Sequence, residues 1–127
     1  EAFGVDAIII PNDRSVDITG TVVKASVGTI EKVKIIKVTN LNNTIKKLKD
    51  YGYWVVGTDM EGTVYTDIDY KMKTALIIGN EGKGISRLVS ENCDYLAKIP
   101  MSGTVNSLNA SVACGIFLAE INRSRGV

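Results

Sequence analysis

Leu76-Ile77-Ile78-Gly79-Asn80-Glu81-Gly82-Lys83-Gly84-Ile85-Ser86 runs from an unbroken apolar segment into a turn dense in glycine and charge. The apolar half reads as a strand covered on both faces, the kind found in parallel sheets. The polar half exposes backbone. Gly79, Gly82 and Gly84 fall within six positions, so main-chain N–H and C=O groups can meet a bound molecule without side chains in the way. A plain tight turn needs only one such glycine. Glu81 adds a carboxylate in the same place. Two nucleotide signatures fail here: a phosphate-cradling Walker loop needs Lys and then Ser or Thr directly after its second glycine, but Ile85 and Ser86 follow Gly84. A dinucleotide fingerprint begun at Gly82 needs its third glycine where Arg87 stands. The turn therefore argues against a pyrophosphate-bearing cofactor.

Outward from this stretch, short apolar runs alternate with helix-like segments, the pattern of an α/β domain with a largely parallel sheet. Strands are expected at Asp6 to Ile10, Lys34 to Val38, Trp54 to Gly57, Ala75 to Ile78 and Tyr95 to Ile99. Crossover helices are expected at Thr21 to Val27 and Asn43 to Tyr51, the second starting near Asn43-Thr44 and stopping at Gly52. Ser86 to Cys93 gives a third, with Ile85, Leu88 and Val89 on its apolar stripe, and its start abuts the glycine turn. The last helix, Ser107 to Arg123, places Leu108, Val112, Ile116, Phe117 and Ile121 at helical spacing, with Val112, Ile116 and Ile121 in the core. Ala110, Ala113, Gly115 and Ala119 give it a small-residue face suited to close packing. One capping residue would suffice at its start, yet Thr104-Val105-Asn106-Ser107-Leu108-Asn109 clusters several polar side chains beside Pro100-Met101-Ser102-Gly103.

With 127 residues, 45% of them hydrophobic, residues 1–127 are expected to form one domain with a real core. A net charge of +1 supplies no domain-wide basic field, so any RNA contact must be local. Candidates are Lys46, Lys47 and Lys49, and the set Lys83, Arg87, Arg123 and Arg125, although a solvated helix face explains most lysine runs. The absence of histidine removes histidine bases, histidine triads and histidine metal sites together. Cys93 and Cys114 are too few for a thiolate zinc site and read as reduced packing residues, with a disulfide between them as the minor alternative, so no metal is expected. Nothing resembles a signal peptide, membrane span or lipidation site, which points to a cytoplasmic location. Glu1-Ala2-Phe3-Gly4 reads as the end of a helix entering a strand, as though the sequence starts inside a larger protein.

Two separated segments together carry a family resemblance. Ile78-Gly79-Asn80-Glu81-Gly82-Lys83-Gly84-Ile85, then Ile99-Pro100-Met101-Ser102-Gly103 followed by Ser107-Leu108-Asn109-Ala110-Ser111-Val112-Ala113, resemble the second and third motifs of the SpoU/TrmH group of SPOUT methyltransferases, in order and at matching spacing. Phe3-Gly4-Val5-Asp6-Ala7-Ile8-Ile9-Ile10-Pro11 and Lys24-Ala25-Ser26-Val27-Gly28 look like the same catalytic domain, so the likeness covers essentially the whole chain. Within the group it is most similar to 23S rRNA guanosine 2′-O-methyltransferases, with tRNA enzymes of the group and a non-catalytic RNA- or nucleotide-binding knotted module as alternatives.

The resemblance implies a parallel-sheet α/β knot, its C-terminal segment threading a deep trefoil, against the general rule that chains avoid threading. It also implies a homodimer with active sites at the subunit interface, and an RNA substrate. S-adenosyl-L-methionine would be held by main-chain groups around Gly79, by Ile99 and Met101, and by Leu108, with Thr58 beside the ribose or methionine part unless it is an ordinary strand-end hydroxyl. Glu81, Ser107 and Asn109 match positions that shape the family's catalytic centre: Ser107 and Asn109 would orient the acceptor ribose or a partnering catalytic side chain, and Glu81 would hold the loop or an arginine. The family's first motif, an asparagine and then a catalytic arginine, belongs to the helix before the segment that begins here. Arg14 matches a different position, and the segment by itself is expected to bind cofactor better than it turns over.

Overall fold

The computed structural model describes residues 1–12, 33–79, 84–104 and 108–126. The Thr21 to Val27 helix, Arg14, Glu81, Gly82, Lys83 and Ser107 lie outside the described residues. Two compact units divide the chain, Glu1–Leu41 and Asn42–Val127.

In the first unit, β1 (Ala7–Pro11) pairs in parallel with β2 (Lys34–Val38), Ala7 opposite Lys34 and Pro11 opposite Val38. Gly4 turns the chain into β1 at φ +75°, its N–H reaching the Glu1 carbonyl at 2.9 Å. Both strands fall within a residue of their expected places.

Helix α1 (Leu41–Asp50) starts two residues before Asn43 and stops where the glycine demands it. Gly52 takes φ +91°, its N–H bonds to Lys49 O at 2.9 Å, and the Tyr53 N–H bonds to Leu48 O at 3.0 Å. These two bonds close the helix in a Schellman motif, which a side chain at Gly52 would strain.

The second unit is organised by a three-stranded parallel sheet in the order β4-β3-β5, with β3 (Trp54–Val64) in the middle, β4 (Thr74–Ile77) on one side and β5 (Tyr95–Lys98) on the other. The chain thus leaves β3 for one flank and returns to the opposite one. Such a switch of direction leaves a crevice outside the carboxyl ends of the strands. Strand β3 runs past Gly57, the end expected from its apolar run. Thr58 and Thr63 both register against Ala97 of β5, and residues 59–62 between them bulge out before pairing resumes at Val64 and Lys98. Asp-Met-Glu-Gly at 59–62 is turn chemistry set inside a strand, which hides the continuation from a reading based on periodicity.

Helix α2 (Arg87–Asn92) links β4 to β5. Ser86 caps it by accepting the Val89 N–H at 3.3 Å, and Val89 is buried, whereas Leu88, expected on the apolar stripe, is 64% exposed. Helix α3 (Ala110–Ser124) starts at an Asn109 cap and lays Phe117 and Ile121 on the sheet. There they join Val56, Ile68, Tyr70 and Ala97 in the core, and Tyr65 meets Phe117 edge to face with centroids 5.6 Å apart. Val112, expected in the core, is 51% exposed, and a Cβ at Gly115 would meet open space, so neither contributes to close packing within the described residues. The fully buried Tyr70 hydroxyl donates to Tyr65 O at 2.5 Å, and burial, reinforced by Glu120 and Tyr65, pushes its pKa up to about 12.

Candidate functional site

The crevice at the carboxyl ends of β3, β4 and β5 is a cavity of about 380 Å³, within the range of roughly 300–1,000 Å³ typical of small-molecule sites. The strands deliver residues to it at this level: Thr58 where β3 enters its bulge, Ile78 and Gly79 after β4, Lys98 and Ile99 at the end of β5. Gly84, Ile85 and Met101 follow from the bends, and Leu108, Ala110, Ala113 and Phe117 come from α3 and its approach. All five residues expected at a cofactor, Thr58, Gly79, Ile99, Met101 and Leu108, therefore share one cavity.

The bends are shaped by glycine for different reasons. A Cβ at Gly79 would lie 2.4 Å from Gly84 C and 2.6 Å from Ile85 N, so two stretches of main chain touch there with no room for a methyl group. Gly84 takes φ +68°, a conformation that side chains disfavour. The Thr58 hydroxyl oxygen accepts the Gly79 N–H at 3.2 Å, tying β3 at the start of its bulge to the bend after β4. Thr58 is thus both a lining residue and a structural tie, and the Gly79 N–H is already engaged.

Asn109 is placed differently. Its side-chain oxygen accepts from Ser111 N at 2.9 Å and from the Ser111 hydroxyl at 2.5 Å, capping α3. Asn109 is exposed and is not among the cavity-lining residues, although its neighbour Leu108 is. Glu81 and Ser107 fall outside the described residues.

Sequence reasoning missed Asp59, Met60, Glu61, Lys98, Ala110, Ala113 and Phe117 as lining residues. The first three sit on the bulge of β3, whose only signal was a charged turn sequence after a strand. Ala110 and Ala113 show what part of the small-residue face of α3 does: it leaves room for a cavity.

The basic set singled out in the sequence is largely occupied. Arg125 donates to Tyr70 O at 2.7 Å, to Met72 O at 2.6 Å and to the Thr74 hydroxyl at 3.2 Å, clamping the end of α3 to the segment before β4. Arg123 forks onto the buried Glu120 at 2.6 and 2.9 Å, which holds that carboxyl below its usual range. Arg87 pairs with Glu91 at 3.1 Å and Lys49 with Asp94 at 3.5 Å. Lys46 and Lys47 remain on the solvated face of α1.

Both cysteines are free thiols, in line with reduced packing residues. Cys93 sits close beneath Gly57, where a Cβ would come within 2.6 Å of its sulfur, and donates to Val89 O at 3.3 Å. Burial pushes it up to about 11, with Lys49 opposing and Asp94 adding to the shift. Burial also raises Cys114. Neither thiol lines the cavity. Among the described residues no group of acidic, cysteine or histidine side chains could hold a metal ion, and no helix is long and apolar enough to cross a membrane.

A parallel α/β unit with a glycine-bordered cavity at a switch point has the architecture in which such folds place small-molecule sites. The SpoU rRNA Methylase family matches residues 1–119, and the chain belongs to that family. A Staphylococcus saprophyticus protein named as a TrmH family tRNA/rRNA methyltransferase is 53% identical over 126 residues, which cover 98% of this chain and 51% of that protein. The chain thus spans about half the length of the curated relatives it matches. The A. aeolicus TrmH/SpoU tRNA modifying enzyme superposes with a TM-score of 0.88 at 32% identity, over 98% of this chain and 64% of that one. The AdoMet-bound rRNA methyltransferase from Sinorhizobium meliloti gives 0.87 at 32%, over 96% and 47%. The SpoU methyltransferase AviRb from Streptomyces viridochromogenes, in complex with AdoMet, gives 0.88 at 29%, over 98% and 51%.

Proposed function

We propose that the protein carrying this chain methylates RNA at a ribose 2′-oxygen, with S-adenosyl-L-methionine as donor and 23S rRNA as substrate; a tRNA is the alternative within the same family. The observation that carries this reading is the meeting of two separately recognised motifs, around Gly79 and Gly84 and from Ile99 through Leu108, in a single cavity. Residues 1–127 form the catalytic domain in this reading, knotted through its C-terminal segment and paired as a homodimer.

The cavity suits the donor on chemical grounds. Adenine is a flat apolar ring with a hydrogen-bonding edge, and Ile78, Ile85, Ile99 and Leu108 offer apolar walls beside main chain freed by the bends. When bound, the cofactor supplies a methyl group on a sulfonium, which an oxygen nucleophile takes up as the C–S bond breaks, the thioether leaves and the hydroxyl proton is released. Alignment is the protein's larger task, since a well-oriented pair of reactants removes much of the barrier. In this reading Ser107 and Asn109 orient the acceptor ribose, and Glu81 serves the catalytic centre as a carboxylate for the loop or an arginine. Asn109 can do so while capping α3, because its amide nitrogen takes no part in the cap.

Transfer of tritium from labelled donor to transcribed 23S rRNA and tRNA tests the reading with the whole protein. Label is expected in rRNA, within a dinucleotide that resists alkali because its 2′-oxygen is blocked. Label confined to bases, or none in either RNA, would contradict it.

A further inference from the structure

The rim of the cavity carries charges of both signs. Asp59 and Glu61 stand on the bulge of β3, Lys98 is the last residue of β5, and all three line the cavity. Among the described residues, neither the Glu61 carboxylate nor the Lys98 ammonium has an ion-pair or hydrogen-bond partner. Asp59 gives one oxygen to the Glu61 N–H at 2.8 Å, which fixes the turn that carries Glu61.

The bulge is pinned to the sheet. Its two ends share Ala97 as partner, and a Cβ at Gly62 would fall 2.5 Å from Leu96 O and 2.8 Å from Ala97 N, so the main chain there lies directly on β5. Lys98 follows Ala97 and pairs with Val64. One strand register therefore brings two carboxylates and one ammonium to the same stretch of rim. Charges without partners among the described residues, set beside a cavity, favour a ligand with complementary charges.

We propose, resting on the reading of the cavity as the donor site, that this rim recognises the amino-acid end of S-adenosylmethionine: Glu61, steadied by the Asp59 turn, takes the α-ammonium, and Lys98 takes the α-carboxylate. The balance of charge agrees. Among the described lining residues two carboxylates stand against one ammonium, a balance of −1, and the donor's ammonium and sulfonium against its carboxylate carry the opposite excess. An RNA phosphate is the wrong partner for such a rim, because two carboxylates repel it. The adenosine part, with no charge, is left to the apolar walls.

The test compares S-adenosylhomocysteine with 5′-methylthioadenosine, which keeps the nucleoside and thioether but lacks the amino-acid end, by titration calorimetry on the wild type, Glu61→Gln, Lys98→Met and the double variant. Each single change is expected to weaken S-adenosylhomocysteine about threefold and the pair together about tenfold, the size of partly exposed ion pairs, while methylthioadenosine stays within about twofold. Unchanged S-adenosylhomocysteine affinity, or equal losses for both ligands, would overturn the assignment of the rim and leave the cavity reading standing. Failure of the wild type to bind either ligand would overturn the cavity reading, and the rim assignment with it.

Discussion

At the amino ends of β3 and β5, the Asp94 carboxylate accepts the Val55 N–H at 2.7 Å and pairs with Lys49 at 3.5 Å, while Trp54 leans on Tyr95 with centroids 6.1 Å apart. At the carboxyl ends of the same strands the chain breaks into bends, and the charges of Glu61 and Lys98 have no partner among the described residues. One sheet thus has an end whose polar groups are paired and an end that opens on a cavity. The paired end uses its polar groups to start the strands. Among the described residues, the open end ties its bends by main-chain contact and the Thr58 hydroxyl, and leaves the charges of Glu61 and Lys98 beside the cavity.

Changes at the two ends should therefore separate binding from stability. The largest effect is expected from Gly79→Ala, whose methyl group would collide with Gly84 main chain at 2.4 Å. Overpacking of this kind costs about 1–3 kcal/mol, and S-adenosylhomocysteine affinity should fall by more than about tenfold as the bend moves. Calorimetry and urea unfolding read the two quantities, and wild-type affinity in this variant would remove the contact from the account. Asp94→Ala should do the reverse: about 2 kcal/mol of stability lost with the Val55 N–H partner, and affinity within about twofold of wild type. Thr58→Val lies between them, because its hydroxyl both lines the cavity and accepts the Gly79 N–H. Roughly 1 kcal/mol of stability and a few-fold of affinity should go together, and loss of one without the other would split the two roles.

The smallest effect concerns Cys93, between the two ends. Burial raises it from the ordinary 9.0 to about 11, so the folded protein keeps this proton after the unfolded chain has lost it. The corresponding stability is complete below pH 9 and is lost as pH rises through about 11. Cys93→Ala should flatten that alkaline decline, and iodoacetamide should modify the native thiol more slowly than a free one at pH 8. Rapid native-state alkylation would show the thiol to be open.

How much of this was legible in the sequence depended on the kind of signal. All five strands lay within two residues of their expected starts, because continuous apolar runs such as Leu76-Ile77-Ile78 have few other places to go. The end of α1 was legible from Gly52 alone. The far half of β3 was not: pairing with Ala97 resumes after a charged turn, and that is a tertiary event with no periodic trace. For the same reason the rim residues Asp59, Glu61 and Lys98 went unseen, while the motif residues Thr58, Gly79, Ile99, Met101 and Leu108 were found by resemblance and do line one cavity. Val112 and Leu88 fit an apolar stripe by spacing yet stand exposed, since spacing marks a face of a helix and cannot say what covers it. Arg123 and Arg125 read as free basic charge because their partners, Glu120 and the carbonyls of Tyr70 and Met72, are set by the fold of the chain end.

The most direct test of the central claim is a crystal structure of the protein grown with S-adenosylhomocysteine. Density for the nucleoside is expected among Ile78, Ile99 and Leu108, with its amino-acid end toward Glu61 and Lys98. Density at any other surface, with the cavity between the two motifs filled by side chains, would contradict it.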